Sequence, residues 1–189
     1  LGLVGSEMCI RDRSKGDIVI IQDADLEYNP ADINVVVAPI VRGLVKVVYG
    51  SRILKERAQK QLGVTTLLSG KHPHSYIFAY LGGVMITEWV NLLTGAQLTD
   101  EPTCYKCFHR SALDCLSIEC DDFSWEPEVT MKWLCQGGEI AEVPIDYRPR
   151  KRHQGKKINW RHGVQALWVV WCYWWRCRSG LMATVNRGS

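Results

Sequence analysis

The sequence predicts an α/β fold, and three observations carry that prediction. Ile18 to Ile21 is an unbroken, β-branched run of the kind that forms a strand buried on both faces in a parallel sheet. A helical stretch and a second apolar strand follow it at once, and amphipathic helical periods alternate with another strand further on. At 189 residues and 47% apolar composition, the chain suits one globular domain. A domain of that length buries roughly 70% of its unfolded surface.

The opening "LGLVGSEMCIRDR" has neither a helical nor a strand period and resembles the translated read-through of a sequencing adapter. Residues 1–14 are therefore expected to be a non-native leader, with the native chain starting further upstream; an ordinary disordered terminus is the alternative. After the first strand, Asn29-Pro30 signals a helix start, and "ADINVVVAPIVRG" continues the helix to Gly43, with Pro39 as a possible kink. "LVKVVYGSR" then returns as a strand that ends at Gly50, completing one βαβ unit.

Lys55 to His74 is polar and without period, and is expected to be a lid or an acceptor loop. From Ser75 to Leu93, Phe78, Leu81, Met85, Trp89 and Leu92 recur at helical steps, while Glu88 and Asn91 argue against a membrane span. "WEPEVTMKWLCQGG" reads as an amphipathic helix closed by Gly137-Gly138, with Trp125 and Trp133 in the core, and "EIAEVPIDY" has strand character. The last apolar run, Val164 to Trp175, is 12 residues between arginines. That is too short to cross a bilayer of about 30 Å, but its Trp and Tyr suit the interface. The expected organisation is a domain over 15–160, an interfacial helix over 161–180 and a tail over 181–189.

Charge is unevenly placed. Of 23 Lys and Arg, ten lie in residues 147–189, a stretch that holds none of the 20 Asp and Glu. Such a tail seeks an anionic partner. Contiguity of its aromatics with aliphatics favours a membrane surface, and no nucleic acid is expected. The eight cysteines follow no apolar signal sequence and read as free thiols of a cytoplasmic protein. Cys104-x-x-Cys107 with His109 invites a zinc site but lacks a second close pair of ligands. His72, His74, His153 and His162 read as polar loop residues.

Three carboxylates close the first strand at every second position: Asp23, Asp25 and Glu27. If the strand persists they share a face and repel one another unless a cation lies among them. Hard divalent ions, Mg²⁺ or Mn²⁺, are bound by one or two carboxylates together with substrate phosphates, and α/β sheets place ligands at the carboxyl ends of strands. The spacing fails a calcium loop of the EF-hand type, because the sixth and twelfth positions from Asp23 are Tyr28 and Asn34. An aspartyl-nucleophile phosphatase would need a Gly-Thr-like turn where Leu26-Glu27 stands. Strand-ending and helix-capping acids remain the plain structural alternative.

Five segments narrow the choice: "GDIVIIQDADLEYNP", "VVYGSR", "LTDEPTCYKCFHRSAL", "WEPEVTMKWLCQGG" and "EVPIDYRPRKRHQGKKINWRHGVQAL". In order and approximate spacing, they make residues 16–171 resemble family 2 glycosyltransferases of the polyprenol-phosphate (dolichol-phosphate) mannosyl- and glucosyltransferase type. The resemblance implies a GT-A type nucleotide-diphospho-sugar transferase sheet with flanking helices, followed by a Trp-rich amphipathic helix. It implies a nucleotide-diphospho-sugar donor, Mg²⁺ or Mn²⁺, and inverting transfer to a lipid phosphate acceptor by a protein peripheral on the cytosolic face of a membrane.

By the same resemblance, Asp23 and Asp25 hold the metal, Glu27 is a third ligand and Asp100 is the catalytic carboxylate near the acceptor. Arg52 of "GSR", together with Arg150, Lys156 and Lys157, binds donor or acceptor phosphate. Since an ionised phosphate attacks without a strong base, Asp100 would orient or hold a loop; with a hydroxyl acceptor it would be the base. The family's "VVIPxYNE"-like first strand has no counterpart, so the domain is expected to be incomplete at its amino end and inactive alone. Pro149 and Arg152 stand where the family shows Gly and an aromatic, and Lys55 to His74 matches poorly. A non-catalytic peripheral membrane module is the rival from another class.

Overall fold

The structure, a computed structural model, describes residues 14–23, 27–58, 74–120, 124–148 and 160–180. Among the described residues, four strands form one mixed sheet: β1 (Ile18–Ile20), β2 (Val47–Ser51), β3 (Lys106–His109) and β4 (Ala141–Pro144), in the order β1-β3-β2-β4. β1 and β2 are both antiparallel to β3, while β2 and β4 are parallel, with Val48 opposite Ala141. The first two strands therefore run in the same direction, as a βαβ unit requires, but they are not neighbours. The antiparallel β3, which hydropathy does not reveal, is inserted between them.

Between β1 and β2, Pro30–Asp32 forms a 3-10 turn and α1 spans Ile33–Val41. Asn29 caps the turn by accepting from the Ala31 N–H, and Gly43, at φ 68°, ends the helix in the left-handed region. α1 lies on one face of the sheet: Val36 and Ile40 meet Val48, Cys107 and Ile145. The opposite face carries Val47, Tyr49 and Phe108 against α4 (Arg110–Asp114) and α5 (Trp125–Cys135), through Leu113, Trp125 and Val129. Every residue of β2 is buried, as a strand covered on both faces must be.

α2 (Arg52–Ala58) occupies the start of the segment expected to be a loop from Lys55 onward. The reason is local, because Ser51 Oγ accepts from the Leu54 N–H and so caps a helix directly at the strand end. Most of the expected lid, the leader up to residue 13 and the tail over 181–189 lie outside the described residues.

α3 (His74–Thr94) and α6 (Trp160–Arg178) pack beside α5, where Val90, Met131, Val170 and Tyr173 form a third core cluster. On α3 the inward residues are Ile86 and Val90, while Leu81, Met85 and Leu92 of the stripe read from the sequence are exposed. Trp125 is buried; Trp133 is half-buried and lies over Gly138, where an added Cβ would fall 2.2 Å from its ring. α6 begins four residues before the expected apolar run and docks through Ala166, Val170 and Tyr173. Among the described residues no helix is long and apolar enough to cross a membrane.

Candidate active site

The centre of the site is the "GSR" end of β2. Gly50 is required by close approach, since an added Cβ would lie 2.8 Å from Ile145 Cδ1 and 3.0 Å from Tyr105 Cβ. Ser51 caps α2 and its hydroxyl lies 2.6 Å from Thr99 Oγ1. Arg52 reaches Asp100 three times: its backbone N–H and Nε–H donate to Oδ2 at 2.9 and 2.7 Å, and its Nη2–H donates to Oδ1 at 2.6 Å. The same Nη2 donates to the Pro102 carbonyl at 2.8 Å. Both oxygens of the buried Asp100 carboxylate are thus occupied by Arg52.

The loop that carries Asp100 is fixed from below. Glu142, on β4, accepts from the Thr99 N–H and hydroxyl with Oε2 and from the Asp100 N–H with Oε1. Thr103 donates to the Gly50 carbonyl at 2.6 Å, tying the far end of the loop back to β2. Burial penalises the charge on Arg52, but the Asp100 carboxylate outweighs this and raises the guanidinium well above its ordinary value. The guanidinium also lies over the Tyr147 ring, 5.0 Å from its centroid.

Tyr147 joins this clamp to the acidic segment. Its hydroxyl donates to Glu27 Oε2 at 2.8 Å, and its ring meets that of Tyr28 at 5.2 Å. Tyr28 Oη accepts from the Cys104 N–H, and Cys104 Sγ in turn accepts from the Asp23 N–H at 2.9 Å. One run of contacts therefore links Asp23 to Asp100 by way of Cys104, Tyr28, Tyr147 and Arg52. Burial raises both tyrosine hydroxyls above their ordinary range, so they act as neutral donors and acceptors.

Of the expected site residues, Asp23, Glu27, Arg52 and Asp100 belong to this run, and Asp25, Arg150, Lys156 and Lys157 lie outside the described residues. Glu27 uses one carboxylate oxygen on Tyr147, and Arg52 uses Nε and Nη2 on Asp100 and Pro102. Cys107 is packed in the core, where burial pushes its thiol up to about 12. Burial and the Asp23 charge push the Cys104 thiol up as well. Among the described residues, no three of His, Cys, Asp and Glu converge as a ligand group. Beyond the end of β1, Asp23 and Glu27 offer hard carboxylate oxygens, a chemistry that would fit Mg²⁺ or Mn²⁺ better than zinc.

Sequence reasoning passed over one carboxylate of this region. Glu126, in the first turn of α5, is half-buried, and its carboxyl is pushed up to about 7. Burial is the main cause; Lys106 opposes it, the Glu101 and Asp23 charges add to it, and Arg52 opposes it. The raised carboxyl therefore follows mainly from loss of water, with neighbouring carboxylate charge adding to it. Its signal was the Glu-Pro-Glu at a helix start, which also reads as ordinary first-turn acids.

The family match decides what this geometry belongs to: Glycosyl transferase family 2 matches residues 2–116, a span that begins inside the expected leader and takes in "DADLE", "GSR" and "TD". The chain belongs to glycosyl transferase family 2. It is 24% identical over 154 residues to the low-salt glycan biosynthesis hexosyltransferase Agl6 of Haloferax volcanii, covering 80% of this chain and 34% of that protein. Its fold is similar to glucosyl-3-phosphoglycerate synthase of Mycobacterium tuberculosis. In the complex of that enzyme with Mn²⁺, UDP-glucose and phosphoglyceric acid, the TM-score is 0.55 at 16% identity, covering 87% of this chain and 51% of that one. A further structure of the same enzyme gives a TM-score of 0.53 at 17% identity, over 86% of this chain and 52% of that one. The sheet is thus a GT-A type glycosyltransferase sheet with flanking helices. The chain spans about a third of the curated relative and half of the solved ones.

Proposed function

We propose that the protein transfers a sugar, with inversion and with the help of Mg²⁺ or Mn²⁺, from a nucleotide-diphospho-sugar to a polyprenyl phosphate or related acceptor at the cytosolic face of a membrane. The observation that carries the reading is the run from Asp23 to Asp100, which draws Asp23 and Glu27 of the acidic segment together with "GSR" and "TD" into one locality at the carboxyl ends of β1 and β2. Donors bound at such strand ends face the loops that follow them.

In this reading Asp23 and Asp25 hold the cation, and Glu27 is the third ligand, its orientation fixed by Tyr147. The bound cation supplies Lewis-acid stabilisation of the charge that builds on the departing diphosphate, typically worth several kcal/mol. Asp100 acts as a positioning residue: held by Arg52, it fixes the loop against which the acceptor lies. Arg150, Lys156 and Lys157 pair with phosphate oxygens. Family membership and the hexosyltransferase relative support sugar transfer. The ten basic residues of 147–189, with no acid among them, support an anionic, membrane-borne acceptor.

The test is transfer of labelled hexose from UDP- or GDP-hexose to polyprenyl phosphate in vesicles, using the full-length protein. Mn²⁺-dependent labelling of the lipid that is lost in Asp25→Asn is expected. Labelling of a soluble acceptor in place of the lipid would overturn the acceptor assignment.

A further inference from the structure

We propose that α3 and α6 together present one composite docking face for an anionic lipid bilayer, a proposal that rests on the membrane-facing part of the function above and extends it to a second helix. On α3, Leu81, Met85 and Leu92 are 51%, 60% and 74% exposed. On α6, Val164, Trp168, Trp171 and Trp175 are 56%, 65%, 37% and 59% exposed. Within each helix these positions recur at three- and four-residue steps or their sums, so each set is one stripe.

Both stripes point away from the domain. Val90 on α3 and Val170 and Tyr173 on α6 are buried against Met131 of α5, on the opposite sides of their helices. The two helices are joined beside these stripes, with Trp171 the stripe residue that reaches across. The rings of Trp89 and Trp171 stack at 6.2 Å and 23°, and the Trp174 Nε1–H donates to the Leu93 carbonyl at 2.9 Å. A second helix beside the first roughly doubles the apolar width that faces outward.

Charge selects the occupant. Arg161, Arg176 and Arg178 are exposed at the two ends of α6, and residues 147–189 contain no acid. Arg176 pairs with Glu119, and the Arg178 guanidinium lies over the Trp174 ring. Glu88 is exposed between Met85 and Leu92 and works against an anionic surface. Exposed tryptophans flanked by arginines match the interfacial layer of a bilayer, where the ring sits among headgroups and the cation meets lipid phosphate.

The experiment is co-sedimentation of the chain with vesicles of phosphatidylcholine alone and of phosphatidylcholine mixed with phosphatidylglycerol. Wild type binds the mixed vesicles, more weakly as salt rises. Met85→Gln/Leu92→Gln on α3 and Trp168→Gln/Trp175→Gln on α6 each lower partitioning about tenfold or more, while Glu88→Gln raises it. All five positions are exposed, and unchanged melting curves show that the variants fold. Loss on α6 with no effect on α3 overturns the composite face. Absence of vesicle binding, with a concentration-dependent dimer that the same substitutions break, shows a protein interface and overturns the bilayer. Vesicle binding as expected, with no binding of nucleotide-sugar by the full-length protein, sinks the enzymatic reading and leaves this face standing.

Discussion

Arg52 and Asp100, 48 residues apart in the chain, are joined by three hydrogen bonds, one from the arginine backbone and two from its guanidinium. The carboxylate side chain is 4% exposed and the arginine side chain 21%. Removing either partner leaves a largely desolvated charge alone. Asp100→Ala is expected to cost about 3 kcal/mol of stability. In a denaturant double-mutant cycle, Arg52→Ala/Asp100→Ala costs clearly less than the sum of the two single changes. Additive single effects would show that the pair is not coupled.

Gly50 lies where β2 passes under Ile145 and Tyr105, and a methyl group there would overlap both Cδ1 and Cγ2 of Ile145. Gly50→Ala is expected to destabilise by about 1–3 kcal/mol through overpacking. Ile145→Val, which removes Cδ1, recovers part of that loss in the double variant. Chemical denaturation of the two variants checks both statements. A neutral Gly50→Ala would mean that the strand shifts freely at the point that aims Arg52.

Glu126 gives the protein a pH dependence of definite sign. Burial and the Glu101 and Asp23 charges raise its carboxyl from 4.5 to about 7 against the opposing Lys106 and Arg52. Between those values the folded state holds a proton that the unfolded chain has released. The group's favourable contribution is complete below pH 4.5 and is lost as the pH rises through about 7. The loss is on the order of 3 kcal/mol. Glu126→Gln should flatten the fall in melting temperature between about pH 5 and 7.5 and be more stable than wild type at about pH 8. Cation binding beside Asp23 should lower the same midpoint. An unchanged pH slope in Glu126→Gln would assign the effect to another group.

Much of this architecture was legible because its elements have clean periods. β2 is a continuous apolar run, Asn29-Pro30 opens the 3-10 turn that leads into α1, α1 ends just before Gly43, and β4 lies within "EIAEVPIDY". β3 was not legible, because "KCFH" opens with a lysine that is fully buried. Its Nζ donates to the carbonyls of Glu101 and Thr103 at 2.5 and 3.0 Å, and those partners are supplied by the loop before it. Hydropathy cannot show a buried charge whose partners arrive through tertiary folding. α3 misleads in the other direction: it is apolar on nearly every side, so its most regular stripe is the outward one.

At the site, "GSR" and "TD" could be recognised as segments, but the clamp between them could not. A contact across 48 residues depends on β3 and the Glu142 carboxylate holding the Thr99-Asp100 turn against β2. Glu128 shows the same limit. It reads as a solvated first-turn acid, yet it is fully buried and accepts from Tyr173, Lys132 and the N–H groups of Glu119 and Cys120.

In the proposed function Asp23 and Asp25 hold a divalent cation for a nucleotide-sugar donor. Thermal melts of the full-length protein with Mn²⁺, with UDP- or GDP-hexose, and with both together test it most directly. Melting temperature is expected to rise only when Mn²⁺ and the sugar nucleotide are present together, and the rise is expected to disappear in Asp25→Asn. No rise with any donor, or an Asp25→Asn variant that responds like wild type, would contradict it.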